Sequence, residues 1–133
     1  MVLPRTVEGI DHVALEVRDV AASVQWYEEV LGLKRRYQAA WGDYPAVVGV
    51  GSTALALFPV EGDAPKPPAG RDVLAMRHLA FRVDAANFAR AREELTRRQI
   101  DSSFQHHGIS QSIYFRDPNG HEIEITTYDL TPD

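Results

Sequence analysis

The chain has 133 residues, of which 44% are hydrophobic and 25% are charged, so it is long enough to bury the core of one domain. It contains no cysteine, which excludes disulfides, thiolate metal sites and a cysteine nucleophile, and leaves His, Asp and Glu as candidate metal ligands. The net charge of -5 argues against a nucleic-acid partner. Since the sequence shows neither an apolar run of about 18 residues nor a secretory signal, we expect a cytoplasmic protein without membrane contact that binds small molecules.

The first predicted elements are a strand and a helix in HVALEVRDVAASVQWYEEVLGL. Val13, Leu15 and Val17 alternate along the strand and share one face. The helix has Asp19 as its predicted N-cap and Gly32 as its predicted end, with apolar residues at helical spacing between them. Three strand-like segments follow, LKRRYQAAW, YPAVVGV and TALALF.

A second copy of this pattern follows the stretch PVEGDAPKPPAGRD, which is rich in Pro and Gly and is predicted to be an exposed linker. HLAFRVDAANFARAREELTRRQI again passes from an alternating strand into a helix, and DSSFQ, SQSIYFR and HEIEITTY are strand-like. The sequence therefore predicts an α+β fold in which two paired βαβββ modules form a curved mixed sheet. We expect one domain over residues 1–133, with module one at about 9–59, the linker at about 60–75 and module two at about 76–128.

Two histidines, His12 and His78, occupy matching positions at the start of each copy, on the strand face opposite the apolar residues. Each is followed two residues later by an alanine, which leaves room beside the imidazole. Glu124 lies on the polar face of the last strand, where a carboxylate is tolerable if a cation meets it. Two imidazoles and one carboxylate form a three-ligand set that suits Fe(II) and also accepts Mn(II), Zn(II), Co(II) or Ni(II). The pattern therefore predicts a metal site on the concave face of the sheet.

The same pattern leaves two alternatives open. Glu122 shares the face of Glu124 and lies next to the DPNG turn, so it is the alternative carboxylate ligand. Both histidines could instead be structural or exposed to solvent, as single histidines on a sheet face commonly are.

The sequence resembles the vicinal-oxygen-chelate superfamily in its paired βαβββ pattern, in DHVALEV with a helix ending in WYEEVLGL, in RHLAFRVD and in YFRDPNGHEIEI. That superfamily includes glyoxalase I, extradiol ring-cleavage dioxygenases, fosfomycin-thiol transferases, methylmalonyl-CoA epimerases and bleomycin-binding proteins. The resemblance covers nearly the whole chain and implies that a divalent metal, with Fe(II) or Mn(II) favoured, is held by His12, His78 and Glu124. It also implies a homodimer, with sites built either within one chain or across two.

Glyoxalase I and the epimerases use a fourth ligand, a Glu or Gln on the last strand of the first module. No carboxylate or amide occurs from Ala46 to Pro59, and Ala56 matches the position of Glu124. This difference counts against a standard glyoxalase I or epimerase.

The segment HHGISQSIYFRDPNGHEIEI is similar to the extradiol dioxygenases, in which a His precedes a Tyr on the strand before the ligand Glu. The resemblance implies that His107 transfers a proton and that Tyr114 hydrogen-bonds a substrate oxygen. Of the two neighbouring histidines, His107 is favoured over His106, and the sequence leaves open which of them faces the site. We therefore expect extradiol-type oxygen insertion into a catechol-type substrate whose adjacent oxygens bind the metal.

Three other functions stay open, namely a glyoxalase-like lyase or isomerase, a thiol transferase, and a bleomycin-resistance-type binding protein. The transferases carry a threonine near the first ligand and an arginine beyond the last strand, where this chain has Ala14 and the tail DLTPD. A binding protein would use aromatic side chains in the cleft, for which Trp41, Tyr44 and Phe104 are candidates.

Overall fold

The computed structural model describes residues 7–130. The chain divides into two compact units between Pro65 and Lys66, within the proline-rich stretch. Each unit holds one four-stranded mixed sheet and one long helix, which confirms the predicted α+β fold of two βαβββ modules. None of the helices within the described residues has the length and apolar character needed to cross a membrane.

Module one contains one parallel and two antiparallel strand pairs. Its strand order is β1-β4-β3-β2, with β1 parallel to β4 and the other pairs antiparallel. Its elements are β1 (Val13–Val17), α1 (Val20–Leu31), β2 (Lys34–Arg36), α2 (Gln38–Trp41), β3 (Ala46–Val50) and β4 (Thr53–Pro59).

Helix α1 begins and ends where the sequence predicts. The Asp19 carboxylate accepts a hydrogen bond from the Ala22 N–H at 3.0 Å, which satisfies one of the amides that no helical carbonyl can reach. Gly32 ends the helix with a left-handed backbone at φ 68°, and its N–H donates to the Glu28 carbonyl at 3.1 Å. Between these caps the apolar side of the helix, including the fully buried Tyr27, packs on the sheet.

Module two repeats the arrangement of module one. Its strand order is β5-β8-β7-β6, with β5 parallel to β8 and the other pairs antiparallel. Helix α3 is capped by the Asp84 carboxylate, which accepts from the Asn87 N–H at 2.8 Å. The elements are β5 (Leu79–Arg82), α3 (Ala85–Arg97), β6 (Ser103–His106), β7 (Gln111–Arg116) and β8 (Glu122–Thr127).

The two sheets also share their strand register. Ala14 of β1 pairs with Ala56 of β4, and Ala80 of β5 pairs with Glu124 of β8. Ala56 therefore holds in the first sheet the position that Glu124 holds in the second, as the alignment of the two copies predicts.

The segment LKRRYQAAW departs from the strand predicted for it. Strand β2 ends at Arg36, Tyr37 adopts a left-handed backbone at φ 61°, and α2 follows. A left-handed residue cannot continue an extended strand, and the two alanines that follow it favour helix over strand.

Gly49 of β3 is expected to be essential for the packing of module one. A Cβ atom there would lie 2.5 Å from the Thr53 carbonyl oxygen and 3.0 Å from the Arg36 Cζ atom. We expect Gly49→Ala to lower the free energy of unfolding by about 1–3 kcal/mol in urea denaturation, because an overpacked backbone contact has to shift. Gly70→Ala is the matched control, since the nearest atom there, an Asp72 oxygen, is 3.5 Å away. Equal urea midpoints for the two variants would contradict this account.

Candidate metal centre

One face of the second sheet carries a row of polar side chains that the strand register brings together. Glu124 of β8 lies between Ala80 of β5 and Tyr114 of β7, and side chains directly opposite each other point to the same face. Glu124 is only 8% exposed. Burying a carboxylate is unfavourable unless hydrogen bonds or a cation compensate for the lost water.

His78 provides the first such partner. Its Nε2 atom lies 2.9 Å from Glu124 Oε1. An ion that binds nitrogen and oxygen at about 2.0–2.2 Å keeps two donors at right angles about 3 Å apart, so this spacing fits two ligands of one metal. His78 Nδ1 is buried and has no hydrogen-bond partner within the described residues.

Ser112 provides the second partner and was not identified from the sequence. Its hydroxyl, which is fully buried, donates to Glu124 Oε2 at 2.7 Å and lies 3.1 Å from Thr126 Oγ1. The hydroxyl therefore holds one carboxylate oxygen and leaves the other directed toward His78. The available signal was its position two residues before Tyr114, which places both on one strand face.

Tyr114 and His107 lie beside this pair. His107 Nε2 is 3.1 Å from the Tyr114 hydroxyl, and the Tyr114 and His78 ring centroids are 5.6 Å apart. Burial raises the pKa of Tyr114 above its usual value, and the negative charge of Glu124 raises that pKa further. The phenol therefore stays protonated at neutral pH and is a hydrogen-bond donor. His106 is occupied elsewhere, since its Nδ1 accepts from the Gly108 N–H at 3.0 Å.

The alternative carboxylate, Glu122, is directed at two guanidinium groups. Its two oxygens lie 3.9 Å from nitrogens of Arg71 and Arg116. Both arginines are cations close to Glu122, whereas within residues 7–130 the only potentially cationic contact of Glu124 is His78. The geometry favours Glu124 over Glu122 as a ligand.

In module one, His12 is held by the residue that precedes it. Its Nδ1 atom lies 2.8 Å from Asp11 Oδ2, and its side chain is 50% exposed. Histidines that bind metals through Nε2 commonly donate the other N–H to a carboxylate, so Asp11 orients His12 in the manner of a ligand. Ala56 offers only a methyl group where a fourth ligand would be required.

Within residues 7–130, no group of three His, Asp or Glu side chains forms a ready-made metal site. His78 and Glu124 supply two of the three predicted ligands in module two, and His12 belongs to module one. The complete three-ligand set stays a prediction.

The aromatic residues predicted to line a binding cleft are placed differently from one another. Trp41 is exposed and lines a cavity of module one, and Tyr44 is exposed. Phe104 instead packs against helix α3, with its ring centroid 6.3 Å from that of Phe88 and 4.5 Å from Arg92 Cζ. Phe104 therefore faces the helix and not the polar face of the sheet.

Comparison with known proteins gives a family and two kinds of relative. The sequence model of the family described as the Glyoxalase/Bleomycin resistance protein/Dioxygenase superfamily matches residues 9–125. A protein named metallothiol transferase FosB from Lysinibacillus sphaericus is 31% identical over 126 residues, which cover 92% of this chain and 84% of that protein. A protein named glutathione transferase FosA from Serratia marcescens is 29% identical over 118 residues, covering 89% of this chain and 79% of that protein.

Solved structures share the fold. A glyoxalase/dioxygenase from Nostoc punctiforme has a TM-score of 0.77 and 27% identity, covering 100% of this chain and 97% of that one. A lactoylglutathione lyase from Agrobacterium tumefaciens has a TM-score of 0.72 and 22% identity, covering 97% of this chain and 100% of that one. The second likeness shows the fold alone.

The role of Ser112 can be tested without any metal. We expect Ser112→Ala to lower the free energy of unfolding at neutral pH by about 1–3 kcal/mol, because the buried Glu124 carboxylate loses a donor. Urea denaturation measures the change, and Ser102→Ala, at an exposed position, is the control. If both variants unfold like the wild type, the hydrogen bond from Ser112 does not hold the carboxylate.

Proposed function

Because the chain belongs to the glyoxalase/bleomycin resistance protein/dioxygenase superfamily, we propose that it is a metal-dependent enzyme that transfers a thiol to a small-molecule substrate with adjacent oxygens. The observation that carries the proposal is the contact of the partly exposed His78 with the buried Glu124, whose facing atoms lie 2.9 Å apart, a spacing that two ligands of one ion also have. The relatives named as thiol and glutathione transferases support this choice of reaction, since they align over about nine-tenths of the chain.

The proposed ligands are His12, His78 and Glu124. Their two nitrogens and one oxygen suit Fe(II) or Mn(II) and also accept Zn(II), Ni(II) or Co(II). When bound, such an ion supplies Lewis-acid chemistry, because it withdraws electron density from a substrate oxygen. We propose that the protein is cytoplasmic. As the resemblance implies, we also propose a homodimer, in which His12 comes from the same chain as the other ligands or from the second copy.

The surrounding residues of the chain have defined parts in this proposal. Ser112 and Asp11 orient the ligands Glu124 and His12 through their hydrogen bonds. In the proposed step the thiol sulfur bonds to a substrate carbon, the bond from that carbon to one of its oxygens breaks, and the thiol proton ends on that oxygen. The protonated hydroxyl of Tyr114 donates a hydrogen bond to this oxygen as it gains negative charge. His107, bonded to that hydroxyl, is placed to exchange a proton with it.

The substrate is not expected to be a phosphonate. The transferases that the sequence resembles have a threonine near the first ligand, where this chain has Ala14, and an arginine beyond the last strand. The segment YDLTPD that follows the last strand contains no basic residue. We therefore propose thiol transfer to a substrate that is recognised by residues other than those two.

Extradiol oxygen insertion into a catechol-type substrate is the second candidate. It is favoured by the 3.1 Å contact between His107 Nε2 and the Tyr114 hydroxyl, since ring cleavage requires both a proton acceptor and a hydrogen-bond donor near the substrate oxygens. The lyase alternative lacks its fourth ligand at Ala56, and a binding protein has no need of the ligand set.

The metal is tested by elemental analysis of protein purified without chelator. We expect about one divalent ion per chain in the wild type. His78→Ala and Glu124→Ala each remove a proposed ligand. Each should therefore weaken metal affinity by more than the roughly 10- to 100-fold that loss of an outer hydrogen-bond partner produces. His106→Ala, whose ring is engaged with the loop, should bind metal like the wild type. Unchanged metal content in His78→Ala would refute the proposed centre.

The reaction is tested on metal-loaded protein with two assays. Consumption of glutathione or cysteine is followed without oxygen in the presence of carbon electrophiles that carry adjacent oxygens, and oxygen uptake is followed with catechols. We expect thiol consumption, with a kcat lowered by about 10²–10⁴-fold in Tyr114→Phe and unchanged in His106→Ala, because only Tyr114 donates to the substrate. Oxygen uptake without thiol consumption would replace the transferase with the dioxygenase, and the absence of both activities would refute both proposed reactions.

A further inference from the structure

Module one has a cavity of about 790 Å³ on the His12 side of its sheet. All of the residues that line it belong to module one, so the Ser112, Tyr114 and His107 group of module two is not part of it. Those on which the inference depends are His12, Arg36, Tyr37, Trp41, Ala54 and Ala56.

The cavity exists because small side chains replace charged ones at matching positions of the repeat. In module two, Arg116 pairs with Glu122 across β7 and β8. In module one the matching pair across β3 and β4 is Gly49 and Ala54. The first sheet therefore lacks the ion pair that covers this part of the second, and Ala54 lines the cavity instead.

Arg36 is the cation that lies in this space. Its Cζ and Nη1 atoms approach Gly49 to within 3.0 Å of the position that a Cβ would occupy, so its guanidinium group rests on the sheet. The side chain is partly buried, and no hydrogen bond or ion pair links it to another residue in the described part of the chain. A partly desolvated guanidinium without a counter-ion favours an anion, and its two parallel N–H groups match a carboxylate.

Two aromatic side chains stand at the same cavity. Tyr37 and Trp41 are 56% and 53% exposed, and their ring centroids are 5.0 Å apart with the planes tilted by 53°. Tyr37 holds the left-handed backbone conformation that L-residues with large side chains avoid, and such outliers gather at functional sites. Exposed rings of this kind provide an apolar surface for a flat ligand.

We propose that this cavity binds a planar carboxylate, with the carboxylate paired to Arg36 and the flat body of the molecule against Tyr37 and Trp41. The inference rests on the proposed function in one respect. Because the cavity also contains His12, a proposed metal ligand, the bound molecule is the substrate that receives the thiol, or part of that substrate. Arg36 would then bind the anionic group of the substrate, a role for which the segment YDLTPD offers no basic residue.

The cavity also contains two carboxylates, which makes a cationic ligand the competing outcome. Asp11 is paired with His12 at 2.8 Å, and Glu8 lies in an exposed segment where water screens its charge. Arg36 is the more buried of these charges, so the anion is favoured.

Benzoate is the probe, and isothermal titration of the full chain, both metal-loaded and chelator-treated, measures its affinity. We expect Arg36→Gln to weaken benzoate binding by about tenfold or more and Arg36→Lys to weaken it less, because lysine keeps the charge but loses the fork. Lys34→Gln is the matched control, since it removes the same charge from the same strand and does not line the cavity. Benzamide, the neutral analogue, should bind more weakly than benzoate.

Three results would overturn the inference, provided that the thermal unfolding curve of Arg36→Gln shows a folded protein. They are equal benzoate affinity in Arg36→Gln and the wild type, tighter binding of benzylamine than of benzoate, and no benzoate binding at millimolar concentration. Because His78→Ala removes a proposed metal ligand and leaves this cavity intact, it separates the two proposals. Benzoate binding retained in a variant that has lost its metal supports the cavity even if the proposed enzyme reaction fails.

Discussion

The buried carboxylate of Glu124 is the constraint around which the polar side of module two is arranged. At 8% exposure it cannot be left to water, so each oxygen needs its own partner. His78 meets one oxygen and Ser112 meets the other. Tyr114 lies directly opposite on the neighbouring strand, and the raised pKa of its hydroxyl is in part a consequence of that negative charge. Removing the carboxylate would change the chemistry of the whole group.

The two modules have the same sheet but carry different side chains on it. Both sheets have the same strand order and the same register, so position by position they present equivalent sites on the face away from the helix. In module two these sites hold carboxylates, hydroxyls and cations that pair with one another. In module one they hold small residues such as Ala54 and Ala56, with Arg36 left over an open cavity. The repeat thus carries a polar cluster on one sheet and a cavity on the other.

The sequence predicted the features that local patterns encode. Alternation and helical spacing placed the strands and helices, and Asp19 and Gly32 marked the ends of α1 because capping chemistry depends on near neighbours. Aligning the two copies predicted that Ala56 matches Glu124, which the register bears out.

The features that the sequence did not predict depend on contacts between strands distant along the chain. The position of Ser112 two residues before Tyr114 places both on one strand face, but it does not predict the hydrogen bond to a buried carboxylate, because the partner Glu124 is twelve residues away. The end of β2 was not predicted for a different reason. Tyr37 adopts a left-handed backbone there, and the sequence has no glycine at that position to indicate it. Phe104 fits the alternating pattern of a strand, but that pattern alone does not say which of the two strand faces packs against the helix.

The position of β8 in its sheet has a mechanical consequence for the candidate ligands. Strand β8 is paired on both sides, with β5 and with β7, so Glu124 is anchored by two ladders of backbone hydrogen bonds. His12 and His78 each stand just before the first residue of an outer strand, β1 or β5, outside the ladder itself. In the proposed ligand set, the carboxylate is therefore held by the sheet on both sides and the imidazoles are not. To fit ions of different radius, such a set would move its imidazoles and leave the sheet that carries the carboxylate undisturbed.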